Sequence, residues 1–255
     1  MLVLNRFETE SARIDGLNIG LPSDLNKFYD LKPAKYNECN KTRAKEWYER
    51  YGHGNTNEEE LFRIEARRLL FKVKSILDML EIPFWLSSGT CLGYFRQCDF
   101  ITYSGDVDIG IWIEDYKPIM IDYFLMNHLP LLHVFGKVED SFELSFRDDN
   151  LKLDIFFFYH EKDYVWNGGT QAKSGLKYKY IFPKFQLCWS DFLDDIFQVP
   201  CETLLYIEAN YGKNLSVPIK KWDWKSSPSN VKPNGRWPVE EWHKVIQIFR
   251  LPEIS

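Results

Sequence analysis

Several features that would assign a protein to a simple functional class are missing from this sequence. No apolar stretch approaches the roughly 18 residues that a membrane-spanning helix needs. The opening segment MLVLNRFETE is too short in its apolar part for a signal peptide. There is no long run of lysine or arginine and the formal net charge is -5, so nucleic acid is not an expected partner. Read as it stands, the chain is expected to be soluble.

Cysteine and histidine give no metal signature. The five cysteines are Cys39, Cys91, Cys98, Cys188 and Cys201. None falls in a C-x-x-C pair and no neighbouring histidine completes a zinc spacing, so we expect no structural metal. Small buried side chains are the simplest expectation, and the odd count leaves at least one free thiol. The histidines form no recognisable ligand set. Two sequons, at Asn40 and Asn214, permit a secretory location without showing it.

The composition is that of a folded chain, with 45% hydrophobic and 16% aromatic residues among 255. This length suits one domain with an elaborated end. Residues 1–55 mix charge, proline and glycine with weak periodicity and are predicted to be an irregular, partly helical lead-in. Residues 56–255 are predicted to form one catalytic-type domain. Its part after Glu161 is rich in Trp, Pro, Gly and Lys and is expected to be loop-rich.

The clearest predicted helix is NTNEEELFRIEARRLLFKVKSILDML, with Asn57 as its cap, Glu60 completing a capping box and Pro83 ending it. Its predicted apolar stripe is Leu61, Ile64, Leu69, Val73, Ile76, Leu77 and Leu80. FWL predicts a short buried strand, SSGT a turn into a brief helix, and YKPIMIDYFLMNH a helix. Residues 129–160 predict a meander of strands, and CETLLYIEANYGK predicts a helix that Gly212 ends.

Two aspartates interrupt an apolar run in TYSGDVDIGIWI. If this stretch is a strand, Asp106 and Asp108 point the same way while the branched residues between them point the other. Unpaired charges on a core strand cost several kcal/mol apiece. Asp154, in the apolar stretch KLDIFFFY 46 residues beyond Asp108, could join them from an adjacent strand. Three carboxylates would hold one or two Mg²⁺ or Mn²⁺ ions, which in turn hold phosphates. Gly110 on the same face would leave room for a ligand.

The turn SSGT supports a phosphate site. Gly89 lets the backbone approach a phosphate, and the hydroxyls of Ser88 and Thr90 can donate to it. Gly89, Gly93 and Arg96 share one helical stripe, so the guanidinium could reach a diphosphate. Simpler explanations exist for each part: D-x-D pairs occur by chance, glycines pack, and Arg96 could be a surface charge. The ordered set is what favours a site.

Further contacts are less distinctive. The candidates for sugar or nucleoside contact are Trp166, Asn167, Gly168, Gly169, Trp222 and Trp224. The candidates for phosphate contact are Lys152, Lys173 and Lys177. Core packing and solvated lysines explain these residues as well.

A family resemblance follows from these motifs. SSGTCLGYFRQCDFITYSGDVDIGIWIEDY resembles the G-T-x-L-G-x-x-R…D-x-D-[IL]-G signature of the LicD/fukutin group within the nucleotidyltransferase fold. Further stretches resemble the catalytic portion of fukutin-type members, among them FGKVEDSFELSF, WNGGTQAK, FPKFQLCW and WDWKSSPSNVKPNG. The similarity runs from about Ile14 to Phe249. It implies an α+β fold with a nucleotidyltransferase-like mixed sheet flanked by helices and a loop-rich C-terminal elaboration.

The resemblance also implies a function. Fukutin-like proteins are Golgi enzymes that transfer ribitol 5-phosphate from CDP-ribitol to the O-mannosyl glycan of alpha-dystroglycan, and related glycan-pathway enzymes are implied partners. By resemblance, Asp106, Asp108 and Asp154 match the metal carboxylates, and the motif containing Gly89, Thr90 and Arg96 faces the donor diphosphate. Full-length members carry an N-terminal anchor and stem that this chain lacks, which leaves membrane attachment open.

Four other functions use some of the same features. A nucleotidyl transferase would use the same carboxylates, and a LicD-type enzyme could transfer another phospho-group such as phosphocholine. Glycosyltransferases that use sugar nucleotides also carry D-x-D but lack the upstream glycine turn and helix. A non-catalytic, accessory fukutin-like subunit would bind a partner enzyme or the acceptor glycoprotein.

Overall fold

Twelve strands form one large mixed sheet, and the first two described strands form a second, two-stranded sheet. The structure is a computed structural model that describes residues 7–14, 17–29, 35–54 and 56–249. The strands are β1 (Thr9–Ile14), β2 (Leu17–Pro22), β3 (Tyr36–Asn37), β4 (Trp85–Leu86), β5 (Asp106–Trp112), β6 (Leu131–Lys137), β7 (Asp140–Asp148), β8 (Leu151–His160), β9 (Tyr164–Gln171), β10 (Leu176–Pro183), β11 (Leu187–Phe192), β12 (Asp195–Pro200), β13 (Val231–Arg236) and β14 (Ile246–Ile248). The helices are α1 (Leu25–Tyr29), α2 (Lys41–Tyr51), α3 (Asn57–Met79), α4 (Ser88–Gln97), α5 (Ile119–Met126), α6 (Thr203–Tyr211) and α7 (Trp242–Val245). The α+β fold with a mixed sheet and flanking helices is confirmed.

Strand β8 is the branch point of the 12-stranded sheet, whose main order is β13-β10-β9-β8-β5-β4-β12-β11-β3. One edge of β8 pairs in parallel with β5. Its other edge pairs antiparallel with β7 at the start and with β9 at the end. Strands β7, β6 and β14 continue from this branch. The predicted meander over residues 129–160 is therefore confirmed, and its last strand, β8, carries Asp154.

The two faces of the sheet differ sharply in character. Val107, Ile109 and Ile111 on β5 are fully buried, and so are the three residues that lie directly opposite them on β8. Helices α3 and α5 cover this face: Phe124 stacks on Phe146 at 4.5 Å, and α3 contacts both strands. Burying each branched side chain contributes about 1.5–3 kcal/mol. The opposite face carries the aspartates and is covered in part by α4 and α6.

Helix α3 begins one residue earlier than predicted. Thr56 is its N-cap: the Thr56 hydroxyl accepts from Glu59 N at 3.2 Å, and the Glu59 carboxylate accepts from Thr56 N at 3.3 Å. The predicted box of Asn57 and Glu60 is therefore wrong by one position, because three consecutive glutamates offered equivalent partners. Leu61 and Ile64 are also more than half exposed rather than part of the buried stripe.

The part after Glu161 is more regular than expected. Strands β9 to β12 occupy most of residues 164–200, and the irregular chain lies mainly between α6 and β13. Strand β9 was not predicted from the sequence because it contains two consecutive glycines, which are more typical of a loop. A Cβ at Gly168 would overlap Ser141, and one at Gly169 would lie 3.2 Å from Trp224 and Tyr180. These glycines allow close packing within a strand instead of marking a loop.

The lead-in joins the large sheet through one strand, β3, which pairs in parallel with β11. Its other described elements are a separate two-stranded sheet, β1–β2, and the helices α1 and α2. Parts of the predicted irregular segment (1–6, 15–16, 30–34 and 55) lie outside the described residues. The division at residue 55 remains a prediction.

Two disulfides correct the expectation for cysteine. Cys39 pairs with Cys98 and Cys188 pairs with Cys201. Cys91 is a buried free thiol, so the prediction of at least one free thiol is confirmed.

None of the described helices combines the length and the apolar composition that crossing a bilayer requires.

Candidate functional site

The parallel pairing of β5 and β8 brings the three predicted carboxylates together. Asp108 lies opposite Asp154, and Asp106 lies opposite Lys152. Because paired residues of neighbouring strands share a face, all four side chains point to the same side of the sheet. One carboxylate oxygen each of Asp106, Asp108 and Asp154 lies within 4.8 Å of the others. This is a group of hard oxygen donors that could hold a metal ion.

The negative charge of these three carboxylates is only partly balanced by positive charge within the protein. Burial and then Asp154 raise the pKa of Asp106 to about 6, against the opposing effect of Lys152. Burial, Asp106 and Asp154 raise the pKa of Asp108 well above its usual range. In the described chain, the ammonium of Lys152, 2.7 Å from Asp154 Oδ2, is the only cation in a salt bridge with these groups. One positive charge faces three acidic groups, so the residues fit a divalent cation.

The first turn of α4 holds Asp108 in position. Gly89 N donates to Asp108 Oδ2 at 2.8 Å, and Asp108 N donates to Thr90 Oγ1 at 2.8 Å. A Cβ at Gly89 would lie 3.0 Å from the Asp108 carboxylate, closer than side chains usually pack. Ser88 lines the cavity described below, whereas Thr90 is buried away from it. Gly89 thus contacts the Asp108 carboxylate and also lines the cavity, whereas Thr90 contacts the Asp108 backbone amide. The predicted contact of these two residues with phosphate stays a prediction.

Arg96 lies beside the same cavity and is 3% exposed. Its guanidinium donates to Gln97 Oε1, at 3.2 Å from Nε and 2.8 Å from Nη2, and lies 4.7 Å from the centre of the Trp47 ring. Nη2 also donates to the Tyr103 hydroxyl at 3.4 Å. None of these three partners is acidic, so the charge is available to an anion. Gly93 does not line the cavity, and a Cβ there would overlap the backbone of Asp99. Its role is close packing.

The space predicted above Gly110 is filled. The Trp85 ring packs directly over this glycine, and a Cβ there would overlap the ring. The pairing of β4 with β5 places Trp85 opposite Gly110. The prediction of ligand room at Gly110 is therefore wrong.

A second group of possible ligands shares Asp154. Nitrogen or oxygen atoms of His133, Glu143 and Asp154 lie within 4.8 Å of one another. His133 Nε2 is 3.2 Å from Glu143 Oε1 and 2.8 Å from Ser145 Oγ, and Ser145 Oγ donates to Asp154 Oδ1. The sequence showed no recognisable ligand set among the histidines, whereas the fold brings His133 into a group that could hold a metal ion. Register on three successive strands creates this group, so spacing in the sequence gives no sign of it.

A cavity of 520 Å³ opens over these carboxylates. The predicted contact residues that line it are Lys152, Asn167, Gly168, Gly169, Trp222 and Trp224. Trp166, Lys173 and Lys177 do not line it. Trp166 stacks on Tyr159 at 4.4 Å, and Lys177 pairs with Asp140.

Helix α6 supplies cavity residues that the sequence did not single out. Asn210 and Tyr211 line the cavity from its last turn. Burial, followed by Asp108 and Asp106, raises the pKa of Tyr211 well above its usual range. Tyr211 therefore remains a neutral hydroxyl donor close to the acidic group. Its ring lies 4.8 Å from that of Trp222.

Comparisons with known proteins agree with this architecture. The family described as LicD/FKTN/FKRP, nucleotidyltransferase domain, matches residues 81–202. Proteins named ribitol-5-phosphate transferase FKTN from Homo sapiens and Macaca fascicularis are each 53% identical over 247 residues, covering 96% of this chain and 54% of the relative. An uncharacterised Caenorhabditis elegans protein is 30% identical over 268 residues, covering 97% of this chain and 66% of the relative. The chain thus spans about half the length of the FKTN relatives.

Proposed function

Because this chain belongs to the LicD/FKTN/FKRP family of nucleotidyltransferase domains, we propose that it is a ribitol-5-phosphate transferase. The donor is CDP-ribitol, the acceptor is an O-mannosyl glycan of alpha-dystroglycan type, and the nucleotide product is CMP. The observation that carries this proposal is the convergence of Asp106, Asp108 and Asp154 on one face beneath a cavity lined by Arg96. The name of the 53% identical relatives supports the choice of transferred group.

The reaction forms one bond and breaks another at a single phosphorus atom. The acceptor hydroxyl attacks the phosphorus next to ribitol, the bond from that phosphorus to the CMP oxygen breaks, and CMP leaves. Asp154 is the proposed acceptor of the hydroxyl proton, since its carboxylate is buried in the site and held by Lys152 and Ser145. Ser88 and Arg96 bind and orient the donor diphosphate.

The proposed cofactor is Mg²⁺ or Mn²⁺ held by Asp106, Asp108 and Asp154. When bound, it neutralises the charge of the diphosphate, which is where most catalysis of phosphoryl-type transfer arises. Gly89 and Thr90 act on the donor indirectly, because they fix the position of Asp108. Tyr211 adds a neutral hydroxyl donor beside the reacting diphosphate.

The proposed location is the Golgi lumen, where the acceptor glycoprotein and related glycan-pathway enzymes are the expected partners. Two disulfides support an oxidising compartment, because such bonds are rare in cytosolic proteins. Partial reduction in labelled cell fractions, followed by mapping of the two pairs, would test this location.

The direct test is incubation with CDP-ribitol, a divalent ion and a phosphorylated O-mannosyl glycopeptide, with CMP release as the readout. Asp106→Asn and Asp108→Asn are expected to abolish turnover, whereas Asp163→Asn, in the exposed turn between β8 and β9, keeps it. Mass spectrometry of the glycopeptide should find an added ribitol phosphate. An added nucleotide or phosphocholine would replace this proposal with another transfer reaction. Metal-dependent CDP-ribitol binding without turnover would favour an accessory subunit.

A further inference from the structure

A tryptophan outside the cavity contacts the arginine that lines it. Trp47 lies on α2, beyond residues 81–202 that the family model matches, and it does not line the cavity. The centre of its ring lies 4.7 Å from the guanidinium carbon of Arg96, which is within the range of a cation–π contact. The Trp47 ring therefore supports Arg96 from outside the cavity wall.

The other contacts of Arg96 leave its charge without a counter-ion. Among the described residues, the guanidinium donates to Gln97 Oε1 and to the Tyr103 hydroxyl, and neither group is acidic. A buried cation without an acidic partner is costly, so the site favours an anionic ligand. An aromatic ring holds the flat face of a guanidinium and leaves the N–H donors, which lie in its plane, free for that ligand.

Helix α2 is fixed against α4 by contacts that do not involve the cavity. Arg43 on α2 donates to Phe95 O at 2.8 Å, and its guanidinium carbon lies 3.6 Å from the centre of the Phe95 ring. The disulfide between Cys39 and Cys98 joins the chain just before α2 to the end of α4. The position of the Trp47 ring relative to α4 is therefore set before any ligand binds.

The same tryptophan also reaches the irregular segment after α6. Trp47 Nε1 donates to Ser216 O at 3.2 Å. The residues on either side of Ser216 in the chain, Leu215 and Val217, both line the cavity. One side chain from the lead-in thus contacts two separate parts of the cavity wall.

We infer that Trp47 is a positioning residue that holds the Arg96 guanidinium ready for the donor diphosphate. An arginine side chain has many rotamers, and ordering it when a ligand binds costs entropy. The Trp47 ring removes part of this cost before binding, and it competes neither for the charge nor for the N–H donors. This inference rests on the proposed function, in that the anion bound by Arg96 is taken as the donor diphosphate.

The test is isothermal titration with inorganic pyrophosphate in the presence of Mn²⁺, which measures diphosphate binding without turnover. Trp47→Leu removes the ring and should weaken binding about tenfold, as expected for a desolvated cation–π contact. Trp47→Phe keeps an aromatic face and should stay within about threefold of wild type. An unfolded fraction lowers the stoichiometry of the titration and leaves the affinity unchanged.

The matched control is Tyr51→Leu, which should bind pyrophosphate as wild type does. Tyr51 lies one turn further along α2, and the centre of its ring is 5.3 Å from that of Trp47. It does not line the cavity. Replacing it removes an aromatic ring from the same helix and keeps the contact between Trp47 and Arg96.

A double-mutant cycle distinguishes positioning from a general structural role. In an Arg96→Ala background, Trp47→Leu should cause no further loss of pyrophosphate affinity, because the residue through which Trp47 acts is gone. Losses that add in the double variant would overturn the inference. A Trp47→Leu protein that binds pyrophosphate as tightly as wild type would overturn it as well.

Steady-state kinetics with CDP-ribitol and the glycopeptide separate this inference from the proposed function. Trp47→Leu should raise KM for CDP-ribitol severalfold and leave KM for the glycopeptide unchanged. A non-additive effect on pyrophosphate binding in a protein that transfers no ribitol phosphate would refute the proposed function alone. Ribitol phosphate transfer together with additive losses in the cycle would refute the role of Trp47 alone.

Discussion

Replacing Asp106 by asparagine is expected to stabilise the metal-free protein while it removes activity. The carboxylates of Asp106, Asp108 and Asp154 crowd within 4.8 Å, and one such pair repels by roughly 3.5 kcal/mol at an effective dielectric constant of 20. Asparagine keeps the shape and one oxygen but removes the charge. The rise in the Asp106 pKa from 3.8 to about 6, caused first by burial and then by Asp154, corresponds in total to roughly 3 kcal/mol.

Part of this energy is lost to screening and to the attraction of Lys152. We therefore expect a net gain of about 2 kcal/mol in the free energy of unfolding, or about 4–8 °C in Tm for a chain of this size. The assay is thermal unfolding in EDTA at pH 7.5, followed by circular dichroism. Asp163→Asn, which removes an exposed carboxylate, should leave Tm within about 1 °C of wild type.

The pH dependence of stability is a second test of the direction of this effect. The native pKa of Asp106 is raised, so native protein binds more protons than unfolded protein between about pH 4 and pH 6. Its contribution to stability is complete below pH 4 and is lost as pH rises through about 6. The advantage of Asp106→Asn should therefore be full at pH 7.5 and disappear near pH 4. A variant with the wild-type Tm or a lower one at pH 7.5 in EDTA would refute the electrostatic reasoning.

Three further predictions test neighbouring parts of the structure. Mn²⁺ at about 100 times its Kd should stabilise wild type by about 2.7 kcal/mol but have little effect on Asp108→Asn, and equal shifts in both proteins would exclude these ligands. Gly89→Ala should lower CMP release by at least about tenfold, because its Cβ would lie 3.0 Å from the Asp108 carboxylate; unchanged turnover would contradict that contact. Cys39→Ser should cost about 4 kcal/mol in denaturant unfolding, since the bond to Cys98 spans 59 residues; a loss below about 1 kcal/mol would contradict the estimate.

Local periodicity was sufficient to predict half of the site. The alternation in GDVDIGIW places Asp106 and Asp108 on one face of any strand, whatever its neighbours, and β5 has this geometry. The apolar stretch KLDIFFFY likewise predicts the strand that carries Asp154. Its placement beside β5 depends on a pairing 46 residues away in the chain, which no local pattern encodes. The carboxylate convergence was an expectation that only the sheet topology could test.

The other residues of the site had no local signature. His133 and Glu143 approach Asp154 only because β6, β7 and β8 pair in the observed register. Asn210 and Tyr211 belong to a stretch that the sequence predicts as an ordinary helix ended by Gly212. Nothing in the sequence therefore distinguishes its last turn as part of a cavity wall. Contacts across elements create chemical roles that residue type and spacing leave undefined.

Asp108 and Asp154 lie opposite each other on β5 and β8. Their carboxylates are held in different ways, and this difference has consequences for the site. Asp108 is fixed by a short turn: Gly89 N holds its carboxylate, and Thr90 Oγ1 holds its backbone amide. Asp154 is held by side chains, the ammonium of Lys152 and the hydroxyl of Ser145. A backbone donor cannot withdraw without moving α4, whereas a lysine side chain can rotate away at the cost of one ion pair. The arrangement therefore gives one rigid carboxylate and one that can exchange its partner. This suits a site in which the proposed proton acceptor must alter its contacts as cation, donor and acceptor hydroxyl enter, while the Asp108 carboxylate keeps its position.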